Sequence, residues 1–156
     1  MITLPKVVSL TTEDYLIALE CAKLRWRDSL RDGRRDSVRP KSWQEALTIH
    51  HQGACAELAV AKAFGIYCPL HVNQFSGMQS DLPGNISVRW SKRGTLVVRP
   101  NDSDGTVVLV TGDAPDLEIL GWALVQDVKQ QPLVDPGGMG KPCHMMDAHL
   151  LNKQWG

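Results

Sequence analysis

The stretch from His50 to Gly65, His-His-Gln-Gly-Ala-Cys-Ala-Glu-Leu-Ala-Val-Ala-Lys-Ala-Phe-Gly, limits the folds open to this chain more than any other. Between Gly53 and Gly65 nearly every side chain is small or apolar, and only Glu57 and Lys62 are charged. Such a run predicts a helix buried over most of its circumference. Its start is signalled upstream by Ser42-Trp-Gln-Glu45, a hydroxyl followed three residues later by a carboxylate, which is the form of a capping box. Gly65 supplies a left-handed stop. Five residues at about 100° each set Glu57 and Lys62 roughly 140° apart, so both cannot face water if one side is buried. Lys62 can run its stem outward to solvent. Glu57 shares its stripe with His50, Gly53, Val60, Ala61 and Phe64, where a carboxylate is costly unless it is paired or bound to a metal.

The remaining chain arranges itself around that helix. Residues 1–10 read as extended. Thr11-Thr12-Glu13-Asp14 opens a first helix that runs to about Leu30, with Leu16, Leu19, Ala22 and Trp26 at helical spacing. Its tail and the loop beyond are basic through Arg25, Arg27, Arg31, Arg34, Arg35, Arg39 and Lys41, diluted by Asp28, Asp32 and Asp36. That segment is either a solvated helix end or a surface that tracks phosphates, for which arginine forks are suited. After Gly65, Val72–Phe75 reads as a short strand and 76–85 as turn. Ile86–Trp90 alternates apolar and polar, Lys92-Arg93-Gly94 reads as a tight turn, and Thr95–Arg99 follows as the expected hairpin partner. Thr106–Val110 is apolar throughout, as in a central strand. Asp116–Asp127 predicts a further strand with a kink at Gly121. The Pro- and Gly-rich stretch 130–142 predicts a loop, and Met145–Lys153 a short terminal helix.

The expected fold is therefore α+β: two N-terminal helices packed on a mostly antiparallel sheet of four to five strands. A chain of 156 residues is enough for a single domain with a real core. The divisions read as a helix and basic loop over 1–41, a core over 42–128, and a loop with a short helix over 129–156. A formal net charge of zero argues against a nucleic-acid binder driven by bulk charge, though not against a local basic patch. No apolar run reaches bilayer length, and the N-terminus lacks the shape of a signal peptide, so a cytoplasmic setting is expected.

Chemistry is expected where polar groups can converge. Glu57 lies on a buried helix face, Asp81 in the turn before Ile86–Trp90, and Arg89 and Lys92 a short way along. An acid from a helix, an acid entering a strand and a nearby cation is the arrangement of a phosphodiester nuclease that uses a hard divalent ion, Mg²⁺ or Mn²⁺. Other constellations are poorer. His50 and His51 point about 100° apart and do not easily share a metal. Cys68, His71, Cys143 and His144 have no paired-knuckle spacing for zinc. The five tryptophans are read as packing residues before base-stacking platforms.

Gly53–Gly65, Val72–Phe75, Asp81, Ile86–Trp90, Gly94–Asp102 and Val108–Gly112 together resemble a group of small, mostly phage-encoded proteins similar to the PD-(D/E)xK nuclease superfamily. The resemblance covers roughly residues 43–125 and implies a restriction-endonuclease-like core. It also implies a helix acid, a strand-entry Asp and an acid-x-Lys element. Glu57 matches the first and Asp81 the second. The third departs, because Ser87 stands where a carboxylate belongs and Arg89 where a lysine belongs. Serine is a weak neutral ligand, and an arginine cannot lose its proton to act as a base.

The expected site is thus Asp81 and Glu57 as ligands of Mg²⁺ or Mn²⁺, with Arg89 and Lys92 as phosphate and transition-state cations. Arg31, Arg34, Arg35 and Arg39 are the expected nucleic-acid contacts. Nucleic acid, DNA ahead of RNA, is the expected partner, with a homodimer or a phage or host protein left open. The alternative is a catalytically silent phage accessory protein that binds nucleic acid or protein on the same fold.

Overall fold

The computed structural model describes residues 1–31, 42–72 and 80–156. Both long helices form where their end signals lie. Helix α1 (Thr12–Arg31) is capped reciprocally: the Thr11 hydroxyl accepts from the Asp14 N–H at 3.1 Å, and the Asp14 carboxylate accepts from the Thr11 N–H at 3.0 Å. Helix α2 (Trp43–Phe64) starts with the Ser42 hydroxyl accepting from the Glu45 N–H at 3.1 Å and ends on Gly65 at φ 67°. The helices pack on each other through small side chains, Ala18, Cys21 and Ala22 of α1 among them. Lys62 leaves the buried face and pairs with Asp14 at 2.8 Å. His51 makes a helix–helix contact, its Nε2 lying 3.0 Å from the Tyr15 carbonyl oxygen.

Two short strands precede the helices, β1 (Ile2–Thr3) and β2 (Lys6–Ser9). After them come β3 (Ile86–Trp90), β4 (Thr95–Val98), β5 (Thr106–Asp113) and β6 (Asp116–Leu124). The main sheet has the order β2-β6-β5-β3, with β3 parallel to β5 and the other neighbours antiparallel. The hairpin expected across Lys92–Gly94 is not formed. β4 leaves the sheet and pairs instead with β8 (Cys143–Asp147), which in turn pairs with β7 (Leu133–Val134).

The reason lies in two hydrophobic cores. Val88, Val108 and Val110 face α2 in the first core, whereas Leu96 and Val98 of β4 join Val107, Leu109 and Met146 in the second. β5 is buried on both faces, which explains its continuous apolar run. β4 covers the face that α2 does not.

The C-terminal expectation changes for the same reason. The helix expected over Met145–Lys153 is a strand, β8, followed by one turn of 3₁₀ helix at Ala148–Leu150 and β9 (Gln154–Trp155). Met146 is buried opposite Leu96 of β4 in the second core, and Cys143 is buried where β8 pairs with β7. The expected loop over 130–142 contains β7, and a four-residue helix α3 (Val125–Val128) follows β6. The terminal segments are integral: β2 forms one edge of the main sheet, and β9 pairs with β1. Gly121 faces a register shift at Leu109/Val110, and a Cβ there would meet the Leu151 Cβ at 2.6 Å. The strand expected at Val72–Phe75 lies, beyond Val72, outside the described residues.

Candidate functional site

Strand β3 is an edge of the main sheet, and the site is built around that edge. Asp81 stands just before Leu82, which bridges antiparallel to Ile86, so the turn at Pro83–Asn85 folds Asp81 back alongside the strand. The Asp81 carboxylate accepts from the Val88 N–H at 2.7 Å, a donor that the edge leaves without a strand partner. Glu57 approaches from the α2 side. It is 5% exposed, and its carboxyl is near enough to Asp81 for the Asp81 charge to raise its proton affinity. Ser87 and Arg89 alternate with the core residues Val88 and Trp90, so they point to the face away from α2. There they line a cleft with Asp81, Asn85, Asp102 and Ser103, over a floor of Val98, Val107 and Val125. Its volume of about 110 Å³ holds several waters or a hydrated ion.

Two arginines and three acids set the electrostatics. Arg25 of α1 donates to Glu57 at 2.8 Å and, through its Nε, to the His71 carbonyl oxygen at 2.7 Å. Arg89 lies 3.9 Å from Asp81 and 3.3 Å from Asp102. Asp102 is itself fixed by the Arg99 N–H at 2.9 Å. Burial pushes the Glu57 carboxyl up to about 8. Arg25 pulls it down, and the neighbouring Asp81 adds to the rise. Burial thus favours the neutral carboxyl at Glu57, and the Arg25 guanidinium opposes that preference.

The expected residues are distributed unevenly. Glu57, Asp81 and Arg89 come together at the edge of β3. Lys92 does not join them: it is exposed in the turn after β3 and, among the described residues, forms no ion pair with either acid. Arg31 ends α1 with its guanidinium 3.4 Å from Asp28, while Arg34, Arg35 and Arg39 lie outside the described residues. The tryptophans divide: Trp90 and Trp122 donate to the Gly112 and Gln154 carbonyls, Trp155 stacks on Phe64, and Trp43 is 81% exposed.

Two site residues escape a sequence reading. Arg25 falls on the buried stripe of α1 with Ala18, Cys21 and Ala22, and a cation on that stripe is itself the signal. Asp102 lies in Asn-Asp-Ser-Asp-Gly, where turn chemistry alone accounts for an aspartate.

Among the described residues, no three His, Cys, Asp or Glu side chains gather into a metal-binding group. A cation in the cleft would rest on the Asp81 carboxylate, the Ser87 hydroxyl and water, with Glu57 behind Asp81 on the α2 side and outside the cleft lining. That donor set suits Mg²⁺ or Mn²⁺, which retain several waters and need few protein oxygens. No family model, no curated protein and no solved structure matches this chain.

Proposed function

We propose that this protein is a metal-dependent, nuclease-like protein acting on the phosphodiester backbone of nucleic acid, on a restriction-endonuclease-like core in which α2 covers one face of the sheet. The observation that carries the reading is the meeting of Glu57 and Asp81 at the edge of β3, beside the Arg89 guanidinium and an open polar cleft. Two like-charged carboxyls side by side are unfavourable unless a proton or a cation lies between them. Asp81 is the principal ligand in this reading and Glu57 the second, direct or through water. A bound Mg²⁺ or Mn²⁺ would supply Lewis acidity to a phosphate oxygen and acidify a water.

The remaining roles belong to the chain. Arg89 supplies the cation for the phosphate and for developing charge, and its fork can leave Asp102 for phosphate oxygens of the same geometry. Arg25 stays with Glu57 and neutralises part of the acid cluster. Asn85, Ser87 and Ser103 offer neutral hydrogen bonds to the sugar–phosphate backbone. The nucleic acid, DNA ahead of RNA, is recognised through its phosphates.

A second reading is favoured by a specific observation. Glu57 is already paired with Arg25, and Ser87 and Arg89 occupy the positions of a carboxylate and a lysine. On that reading the fold binds nucleic acid or a protein partner without cleaving. One assay separates the two. Plasmid and single-stranded DNA are incubated with the protein in Mg²⁺ or Mn²⁺ against EDTA. Metal-dependent cleavage that Asp81→Ala abolishes supports the enzyme. Absence of cleavage in the native chain, with cleavage gained in Ser87→Glu, supports the silent binder.

A further inference from the structure

A surface separate from the cleft carries an inference about assembly. α1 turns Ala18, Cys21, Ala22 and Ser29 inward. At 100° per residue the opposite face runs through positions 13, 16, 17, 20, 23, 24, 27, 30 and 31, and every one of them is exposed. Four are apolar: Leu16, Ile17, Leu24 and Leu30, with Ile17 56% and Leu30 62% exposed. The others are charged and sorted by sign along the helix. Glu13 and Glu20 lie in its first half; Lys23, Arg27 and Arg31 lie in its second. Arg27 and Arg31 sit 3.2 and 3.4 Å from Asp28 with their side chains still largely in solvent, and Glu20 meets Lys23 at 2.9 Å.

We propose that this face binds a second copy of the chain, α1 lying antiparallel on α1. The charge order selects the occupant. A two-fold axis near residues 21 and 22 sets Glu20 against Lys23 of the partner subunit, and Leu16 and Ile17 against the partner's Leu24 and Arg27. It brings Glu13 to the partner's Leu30 and Arg31. Acid meets base at both ends because the same surface serves twice, as an isologous contact requires. A parallel pair would set acid on acid. Nucleic acid is disfavoured on this face by Glu13 and Glu20. Exposed apolar side chains between the charges supply the area to be buried. A helix of this length spans about 30 Å, so the contact is at the small end of specific interfaces and a weak, concentration-dependent dimer is expected.

Sedimentation velocity of the full chain, from about 1 to 300 µM at moderate salt, tests this. A monomer–dimer equilibrium within that range is expected. Ile17→Glu/Leu24→Glu should remain monomeric throughout while keeping the circular dichroism of the native chain, since both side chains are exposed. Glu20→Lys should weaken the dimer at least tenfold, and Glu20→Lys/Lys23→Glu should restore it. A chain that stays monomeric to the highest concentration would overturn the proposal. So would a dimer that survives Ile17→Glu/Leu24→Glu, or one indifferent to Glu20→Lys.

Discussion

Arg25 donates from α1 to Glu57 on α2 at 2.8 Å, and the carboxyl it holds is the one whose proton affinity the neighbouring Asp81 raises. This contact ties the first helix to the second at the level of the site. It also divides the acid cluster into a guarded half, Glu57 behind the edge of β3, and an open half, Asp81 in the cleft. The consequences are measurable.

Removing Arg25 leaves a buried carboxyl without its cation and the His71 carbonyl without its donor. Arg25→Ala should lower stability by about 2 kcal/mol, read from the urea midpoint at pH 7, through the two hydrogen bonds it donates to the Glu57 carboxyl and the His71 carbonyl. Glu57→Gln keeps an amide partner for Arg25 and carries no titrating proton, so it should cost about 1 kcal/mol below pH 4.5 and lose that deficit as pH rises towards about 8, where the native carboxyl is penalised and the amide is not.

Glu57 also sets a pH dependence. Its carboxyl is raised from 4.5 to about 8, chiefly by burial, so the folded protein holds this proton more tightly than the unfolded chain. The contribution to stability is complete below about 4.5 and is lost as pH rises through about 8. Between those limits this one group should reduce stability by up to about 1.4 kcal/mol per pH unit. The same melts on Glu57→Gln should show that slope removed.

Packing gives a third expectation. Gly121 has no space for a side chain: a Cβ would lie 2.6 Å from the Leu151 Cβ and 2.9 Å from the Asn152 carbonyl oxygen. Gly121→Ala should destabilise the protein by about 2 kcal/mol in thermal or denaturant unfolding, because backbone on the C-terminal segment must give way.

The helices were legible because their signals are local. Ser42, Gly65, Thr11 and Asp14 each act within one turn of chain, and the apolar run of α2 admits one period only. The partner of β3 was not legible. Two strands separated by Lys92–Gly94 look like a hairpin, and nothing local says that β4 will instead cover Val107 and Leu109 on the far face. β8 was misread for a related reason: Cys143–Asp147 is short, and its pairing with β4 is a long-range contact. At the site, Glu57 and Asp81 were readable as acids in unusual surroundings. Arg25 was hidden among the other arginines of α1, and Asp102 in a turn that explains it without any ligand. Lys92 failed for geometric reasons, because the chain leaves the sheet two residues after Trp90 and carries the side chain into solvent.

If Glu57 gives up its proton to a cation, binding must be linked to pH. Mn²⁺ affinity should rise by up to about tenfold per pH unit from pH 6 towards 8, with as much as one proton released per ion in buffers of different ionisation enthalpy. Affinity that is flat across this range would mean that Glu57 does not take part.

The proposed function stands on Glu57 and Asp81 sharing one cation at the edge of β3. Titration of the native chain with Mn²⁺ at pH 8, following the loss of the free-ion electron paramagnetic resonance signal, tests it most directly. One ion should bind per chain, with binding abolished in Asp81→Ala and weakened at least tenfold in Glu57→Gln. No binding at millimolar Mn²⁺, or binding that Asp81→Ala leaves unchanged, would contradict it.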